Sequence, residues 1–318
     1  MIRGGHEPGI SHPAPDWLRG GSTRRGAGPV SVQSPLRASV WMVGAIVSFT
    51  SMAVAGRAAI VELDTFEIML FRSLIGVVLV IVVARVAGTL GDIRSSRLNL
   101  HLARNASHFL GQNLWFFAIS VAPLAQIFAL EFTSPIWAMF LAVYILGEAL
   151  TRLRVVTALI GFAGVLIVTQ PWLAGMSIGI WAGAVAAIGF AGSAVMTRLL
   201  TRHEGITSIM FWLTVTQSLF GAVLAGYDGQ ITLPSAAVLP WVLVIAVAGL
   251  LAHFCLTKAL SLAPAAIVMP VDFARLPIIA VVGFMLYQEP FEWNVLVGAA
   301  IIFLANYVLI RNEHRKSR

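Results

Sequence analysis

Ala118-Ile119-Ser120-Val121-Ala122-Pro123 recurs as Ala259-Leu260-Ser261-Leu262-Ala263-Pro264, at an offset of 141 residues. The same offset pairs further residues of like type: Arg57 with Arg198, Glu131 with Asp272, Phe132 with Phe273, and Glu148 with Glu289. A constant offset through about ninety residues is the sequence signature of an internal repeat. We therefore predict two related halves.

The composition places both halves in a membrane. Hydrophobic residues make up 58% of the chain and charged residues 11%, and the mean hydropathy is +0.88. A helix needs about 20 apolar residues to cross the hydrocarbon core. The apolar runs are continuous rather than alternating, which favours helices over a β-barrel. We predict an all-α integral membrane protein of ten transmembrane helices, at about 38–58, 65–87, 101–121, 124–147, 153–171, 177–199, 206–226, 237–260, 264–287 and 292–310.

Five helices per half is an odd number, so the second half must enter the membrane from the opposite side. The predicted architecture is a 5+5 inverted repeat, which is typical of secondary transporters. Basic residues accumulate in cytoplasmic connections. With the N-terminus in the cytoplasm, these residues fall on that side: Arg37, Arg94, Arg97, Arg152, Arg154, Arg198, Arg202, Arg311, Arg315, Lys316 and Arg318. Both termini are predicted to be cytoplasmic. Residues 1–35 form a disordered polar leader or an over-extended gene start, and residues 312–318 form a basic tail.

Several functional classes are excluded or disfavoured. The net charge of +7 comes from residues scattered at the ends of apolar runs, which argues against a nucleic-acid partner. Cys255 is the single cysteine, which excludes an internal disulfide and a cysteine-rich metal site. The sequence has no phosphate-binding loop of the Walker type and no His-Glu-x-x-His pattern, so direct drive by ATP and a metalloenzyme of that kind are disfavoured. No cofactor or metal is predicted.

A family resemblance is carried by the fourth span. The run Leu130-Glu131-Phe132-Thr133-Ser134-Pro135, leading to Leu146-Gly147-Glu148-Ala149-Leu150-Thr151, resembles the fourth-helix pattern of the EamA family in the drug/metabolite transporter superfamily. Phe71-Arg72 and Thr197-Arg198 are also similar to that family. The resemblance covers residues 36–310. It implies EamA-like five-helix repeats at 36–172 and 177–311, in a carrier that moves small metabolites across a bacterial inner membrane. The second half departs from the pattern at Pro277 and Gln288.

Charged residues inside a membrane are expensive, and they usually face a cavity or a partner. Glu131 in the fourth span and Asp272 in the ninth are therefore candidates for proton coupling or for binding a cationic group, and Arg275 is a candidate for the same substrate- or proton-binding site. Asp272 has an alternative role, because Arg275 lies one helical turn later and can pair with it. Arg72 has the apolar counterpart Leu213, an asymmetry that indicates a specific role. It can bind an anionic group or neutralise Glu131, or it can snorkel to the interface.

The third span carries a polar face. Arg104, His108, Gln112 and Trp115 follow one another at spacings of four, four and three, which places them along one side of a helix. His253 is the counterpart of Gln112 in the second half. A histidine in this setting can relay protons, or it can form a hydrogen bond between helices. Trp115 can stack on a flat substrate or pack in the core.

A further group is predicted to gate the two mouths or to shape the helices: Arg57, Arg198, Glu148, Glu289, Pro135 and Pro277. The acids end their spans, and they can form ion pairs with the arginines of the other half or remain solvated. The prolines lie within spans and free backbone carbonyls, which bends a helix where a cavity opens.

The predicted function is secondary transport of a small organic metabolite, amino-acid-like or related, by alternating access. Proton coupling through Glu131 is a hypothesis within this prediction. The alternative is an importer of a vitamin or nucleoside-like compound such as riboflavin, for which the aromatic interior leaves room. An intramembrane enzyme is disfavoured, because no nucleophile–base pair or set of metal ligands converges at one depth. The predicted partners are the substrate, protons and the lipid bilayer, and a homodimer is left open.

Overall fold

The structure is a computed structural model, and it describes residues 35–146, 151–170, 177–227, 229–262, 268, 271–290 and 292–316. Within these ranges the chain consists of helices and short connections, without a β-strand. The predicted leader, apart from Pro35, lies outside the described residues, and so does Glu148.

The described ranges contain eleven α-helices. The first half contains α1 (Pro35–Ala59), α2 (Thr65–Val86), α3 (Leu98–Val121), α4 (Leu124–Glu131), α5 (Ser134–Leu146) and α6 (Arg152–Thr169), with a 3-10 helix at Leu90–Asp92. The second half contains α7 (Ile178–Leu200), α8 (Ile206–Ala225), α9 (Leu239–Leu262), α10 (Arg275–Tyr287) and α11 (Trp293–Lys316). The last helix therefore continues into the predicted basic tail.

Most of these helices have the composition of membrane spans. Six segments are long and apolar enough to cross a membrane: α1, α2, α4 and α5 taken together, α7, α8 and α9. α6, α10 and α11 contain shorter apolar stretches. α3 is in neither group, because buried polar residues such as Arg104, Asn105 and His108 lower its hydropathy. The all-helical membrane fold is confirmed, and the total of ten spans stays a prediction.

The fourth helix of each half is interrupted at the same position of the repeat. α4 ends at Glu131, and a two-residue turn that begins at Phe132 separates it from α5. In the second half a turn at Phe273 and Ala274 precedes α10. The offset of 141 residues relates Phe132 to Phe273. The span predicted over 124–147 is present as a membrane-length apolar segment, and a turn interrupts its helix at this point.

The two prolines mark where each helix resumes. Pro135 and Pro277 stand in the first turn of α5 and of α10, respectively. A first turn has no intrahelical acceptor for its N–H groups, so proline costs little there. These prolines were predicted to bend a continuous span; the structure places them at the start of new helices instead.

The two halves pack through helix pairs that the repeat exchanges. α1 packs against α9 and α3 packs against α7, and the 141-residue offset converts one pair into the other. α2 packs against its own counterpart α8 and α6 against its counterpart α11, whereas α4 packs against α10, the counterpart of α5. The main hydrophobic core contains residues of both halves, so the halves share one core.

Counterpart helices run antiparallel where they pack. On α2 and α8, Gly76 lies against Thr214 whereas Gly221 lies against Leu70, so residue numbers rise along one helix and fall along the other. The contacts between α6 and α11 follow the same reversed order. Small residues at these contacts let the helix backbones approach closely.

Candidate functional site

A buried group of three charged residues joins the two helix interruptions. Glu131 is the last residue of α4, Arg275 is the first residue of α10, and Asp272 lies one turn before Arg275. The Arg275 Nη2 atom is 3.0 Å from Glu131 Oε1 and 3.2 Å from Asp272 Oδ2. The alternative pairing of Asp272 with Arg275 is thus present, and Arg275 extends it to Glu131 in the other half. We call these three residues the triad.

Aromatic side chains surround the triad. The Trp115 Nε1–H donates a hydrogen bond of 2.9 Å to Glu131 Oε2. The Arg275 guanidinium lies near three phenylalanine rings, at 4.5, 5.2 and 4.9 Å from the centroids of Phe49, Phe128 and Phe132. Cation–π contacts of this kind stabilise a guanidinium that is shielded from water. Trp115 therefore holds the Glu131 carboxylate in place in addition to packing.

The triad contains more negative than positive charge. It has two carboxylates and one guanidinium, and Asp272 Oδ1 has no hydrogen-bond partner among the described residues. The exposed fraction of the side chain is 17% for Glu131, 8% for Asp272 and 4% for Arg275. An uncompensated charge in an apolar interior is costly, which favours a proton or a cationic group at this place. Glu131 is the member most accessible to either.

The triad lies close to the axis that exchanges the halves. Phe132 and Phe273 are equivalent in the repeat, and their ring centroids are 4.7 Å apart. Equivalent residues that touch each other must lie near such an axis. Glu131 and Asp272 directly precede these two residues in the sequence, so both carboxylates are central in the fold.

A second buried polar cluster lies between α2, α3, α8 and α9. Its members are Arg72, Arg104, His108, Gln217 and His253, of which only His253 is partly exposed. The His108 and His253 ring centroids are 5.9 Å apart. The charges of Arg72 and Arg104 act on both histidines. We call these five residues the arginine–histidine cluster. The predicted polar face of α3 therefore points into the protein, and Gln112 is buried on it as well.

Arg104 is held by neutral side chains. Its Nε–H donates to Thr197 Oγ1 and its Nη1–H donates to Asn105 Oδ1, both over 2.9 Å. Asn105 in turn donates to the Trp212 carbonyl over 3.0 Å and to the Thr216 hydroxyl over 2.6 Å. These bonds connect α3 with α7 and α8. Asn105 and Thr216 are not among the predicted site residues, and Thr197 is named there only as part of the family resemblance; an asparagine beside an arginine within a span is a usable signal.

Arg72 has almost no partner. Its Nη1 atom is 3.6 Å from the Met69 sulfur, and no carboxylate in the described ranges lies within ion-pair distance of it. The residue is 6% exposed, so the side chain does not snorkel to the surface. Arg275, rather than Arg72, pairs with Glu131. The binding of an anionic group by Arg72 stays a prediction.

Phe49 connects the triad with the arginine–histidine cluster. The centroid of its ring is 4.5 Å from Arg275 Cζ and 5.8 Å from the His253 ring centroid. The residue equivalent to Phe49 is Phe190, whose ring centroid is 5.7 Å from that of His108. The two clusters are thus neighbours with the Phe49 ring between them, and the equivalent ring of Phe190 lies beside His108.

A salt bridge joins the halves at one end of the helices. The Arg57 Nη1 atom is 2.5 Å from Glu289 Oε1, and Glu289 Oε2 accepts the Leu124 N–H over 2.9 Å. Arg57 also donates to the carbonyls of Ile119 and Ala122, which belong to the repeated stretch of sequence. The equivalent pair at the other end cannot be described in the same way, because one of its members, Glu148, lies outside the described residues; the other, Arg198, is exposed near the end of α7.

Loops contact acidic side chains at both ends of the helices, and the sequence does not predict these contacts. At the end that contains Arg57, Glu62 accepts from the N–H and the hydroxyl of Ser235, over 2.6 and 2.7 Å. Glu67 also accepts the Thr232 N–H there, and it forms a capping box with Asp64 at the start of α2. The Asp-x-x-Glu spacing could have revealed the capping box, but not the contact with a loop 165 residues away.

The opposite end has a corresponding contact around Glu204. This carboxylate accepts from the hydroxyls of Ser96 and Ser208, both over 2.9 Å, and it lies 2.7 Å from His101 Nε2. Burial acts to raise the pKa of Glu204, but the hydrogen bonds and the charge of His101 outweigh it and hold the pKa below its ordinary value. The contact therefore favours the ionised carboxylate.

Known proteins share this organisation. A sequence model of the EamA-like transporter family matches residues 36–170 and again residues 177–311. The chain belongs to the EamA-like transporter family. Together with its apolar helices, this membership makes it a multi-pass membrane protein of a bacterial transporter family.

Individual relatives carry names of small-molecule transporters. The chain is 33% identical to a riboflavin transporter of Brucella anthropi, over 71% of this chain and 81% of that protein. It is 27% identical to a riboflavin transporter of Vibrio cholerae, over 89% and 96% of the two chains. It is 24% identical to an S-adenosylmethionine uptake transporter of Rickettsia bellii, over 86% and 94%. One solved crystal structure has the same fold, with a TM-score of 0.62 and 16% identity over 86% of this chain and 98% of the other.

Proposed function

We propose that this protein is a secondary transporter that moves a small organic metabolite across the bacterial inner membrane by alternating access. Ten spans form a 5+5 inverted repeat, and both termini are cytoplasmic. The two family matches and the antiparallel packing of counterpart helices support the inversion. The basic residues at the helix ends support the orientation. In such carriers the two halves move relative to each other around a central site.

The observation that carries this proposal is the triad. Each half contributes one carboxylate, Glu131 or Asp272, and Arg275 contacts both. A movement of one half against the other must therefore change the contact between Arg275 and Glu131. A proton on Glu131 removes the charge that holds Arg275, so proton binding and the movement of the halves are coupled.

A compound with a flat ring is the first candidate substrate. Two relatives described above are named riboflavin transporters. Phe49 and Phe190 lie beside His253 and His108, respectively, on either side of the arginine–histidine cluster. Offset stacking on such rings stabilises a planar ligand.

An amino-acid-like compound is the second candidate, and the charges of the interior favour it. The triad has an excess carboxylate that suits an ammonium group, and Arg72 has no counter-ion among the residues that the structure describes. A relative named as an S-adenosylmethionine uptake transporter is in line with this reading. Both candidates are small metabolites, and both fit the same central region.

Transport by the purified protein in proteoliposomes tests the proposal. Uptake of labelled riboflavin and S-adenosylmethionine is measured with and without an imposed pH gradient. One pH unit corresponds to about 1.4 kcal/mol, so one proton per substrate supports roughly tenfold accumulation. We expect Glu131→Gln to keep exchange of substrate across the bilayer while it loses the stimulation by the gradient, since the amide still accepts from Trp115 but holds no titratable proton.

Glu292→Gln is the matched control, because Glu292 is exposed near the start of α11. This variant should retain full stimulation by the gradient. If Glu131→Gln is stimulated as strongly as the wild type, Glu131 does not couple protons. If neither compound is transported by the wild type, both substrate candidates are wrong.

A further inference from the structure

The Arg72 guanidinium is a buried cation that has no anionic partner among the described residues. Arginine stays protonated in proteins, and a buried charge without a partner is costly. Among the described residues, the one polar contact of the Arg72 guanidinium is with the Met69 sulfur, a weak acceptor. By comparison, the equally buried Arg104 has two oxygen acceptors, and Arg275 has two carboxylates. Arg72 is thus the one of these three arginines whose charge the fold leaves uncompensated.

Other unused polar groups lie near Arg72. His108 Nε2, Gln217 Nε2 and Ser73 Oγ are buried and have no hydrogen-bond partner among the described residues. Ser73 follows Arg72 directly in α2. The contacts of Gly76 with Thr214 and of Gly221 with Leu70 place Gln217 of α8 at the level of Ser73. Amide, imidazole and hydroxyl groups can all donate to an anion.

The two halves differ here in a way that makes room for the guanidinium. Arg72 lies against Gly249 of α9, where an added Cβ would sit 3.2 Å from Arg72 Nη2. The counterparts of Arg72 and Gly249 in the other half of the repeat are Leu213 and His108. The pair Arg72–Gly249 corresponds in the repeat to the pair His108–Leu213. In both pairs the large polar side chain comes from the first half and the other residue from the second. The repeat gives the two halves the same backbone positions, and the residues that differ between the halves place the donors Arg72 and His108 in one region.

We infer that Arg72, with His108 and Gln217, binds an anionic group of the transported compound, a carboxylate or a phosphate. The inference rests on the proposed function, because it takes the central region as the path of the substrate. A guanidinium and neutral donors match the planar carboxylate and the tetrahedral phosphate, and within the part of the chain that the structure describes no carboxylate lies within ion-pair distance of Arg72 to repel either group. In this arrangement the anionic end of the compound lies at Arg72 and the rest extends past Phe49 towards the triad.

Matched pairs of probes test the inference on the purified full-length wild type. Benzoate is compared with benzamide, and riboflavin 5′-phosphate with riboflavin, by the rise in Tm that each gives as its concentration increases. A ligand that binds the folded state raises the apparent stability. We expect the anionic member of at least one pair to bind about tenfold to a hundredfold more tightly than the neutral member, the range for a charge-assisted hydrogen bond. The benzoate and phosphate arms distinguish a carboxylate site from a phosphate site.

Variants then assign the preference to Arg72. Arg72→Gln should abolish the difference within a pair, and Arg72→Lys should retain part of it because the charge remains. Arg85→Gln is the matched control, since Arg85 is an exposed arginine in the last turn of the same helix. A wild type that binds neutral and anionic probes alike overturns the inference without the need for any variant. An Arg72→Gln protein that elutes as a monodisperse species and keeps the preference overturns it as well.

The two proposals can fail separately. Binding is read in detergent, whereas transport is read in proteoliposomes. An anion preference that depends on Arg72, in a protein that transports none of the probes, leaves the anion site intact and removes the support for transport of these compounds. Transport of a probe by a protein that binds anionic and neutral probes alike supports the proposed function and overturns the anion site.

Discussion

At the scale of single residues, Trp115 orients the carboxylate that we expect to bind a proton. Its indole N–H donates to Glu131 Oε2, and its ring packs against Phe116 and Phe128. Trp115→Phe keeps most of the packing and removes the donor. We expect a loss of about 1–2 kcal/mol in the free energy of unfolding. Gradient-driven uptake should fall more than passive exchange, because a free carboxylate pairs with Arg275 less reproducibly.

Trp212→Phe is the control for this prediction. The Trp212 indole N–H donates to the Arg94 carbonyl in a loop, over 3.0 Å, so the substitution removes the same kind of bond away from the triad. Uptake and exchange should change together in this variant. Equal effects of the two substitutions on the ratio of driven to passive transport would contradict a special role for Trp115.

The sequence identifies individual charges better than it identifies their partners. Glu131 and Asp272 stand out because charged residues are rare inside apolar spans, and the structure brings them together. Only the tertiary contact shows that Arg275 pairs with both. The isolation of Arg72 is equally invisible in sequence, since an acidic residue of another helix could have paired with it, and Glu67 of the same helix lies five residues earlier, outside the spacing of three or four that pairs side chains. In the structure the Glu67 carboxylate accepts hydrogen bonds from the Asp64 N–H and from the Thr232 N–H of a distant loop.

At the scale of helices, the crossing of α3 and α7 depends on glycine. A Cβ added at Gly189 would lie 2.9 Å from the Gly111 Cα and 2.9 Å from the Ser107 carbonyl oxygen. Both contacts are with backbone, which a side-chain rotation cannot relieve. We expect Gly189→Ala to lower the free energy of unfolding by about 1–3 kcal/mol, the cost of overpacking. Thermal unfolding in detergent measures the effect, with Gly91→Ala as the control because nothing lies within 4 Å of a Cβ there. Equal Tm values for the two variants would show that the contact between α3 and α7 accommodates an added Cβ without loss of stability.

Helix boundaries were predicted with mixed success for a physical reason. Hydropathy reports which residues prefer lipid or core, so it locates α1, α2, α7 and α8 to within a few residues. It does not report the backbone turn between α4 and α5, because Glu131 and Thr133 interrupt the apolar run without a glycine, and a single charge in a span is also compatible with a continuous helix. Pro135 was the available signal, and it fits the start of a helix as well as a bend.

At the scale of the whole molecule, contacts between the halves exist at both ends of the helices. Glu62 and Glu67 contact the loop around Ser235 at one end, and Glu204 contacts Ser96 at the other. The repeat relates the loops but not the side chains, since the counterpart of Ser235 is Arg94. Alternating access requires these contacts to break at one end at a time. Because the residues differ, the two ends need not respond alike to pH.

The end that contains Glu204 should weaken in acid. The pKa of Glu204 is lowered in the folded protein, so its contribution to stability is present above the ordinary glutamate value of about 4.3. That contribution is lost as the pH falls through the lower folded-state pKa, because the folded protein must then take up a proton that the unfolded chain already holds. The difference in Tm between the wild type and Glu204→Gln should therefore shrink as the pH falls below about pH 4. The same comparison with Glu292→Gln should show no such pH dependence, because Glu292 is exposed and outside these contacts. A wild-type advantage over Glu204→Gln that persists undiminished at the lowest pH would mean that neutral hydrogen bonds, rather than the ionised carboxylate, hold this end together.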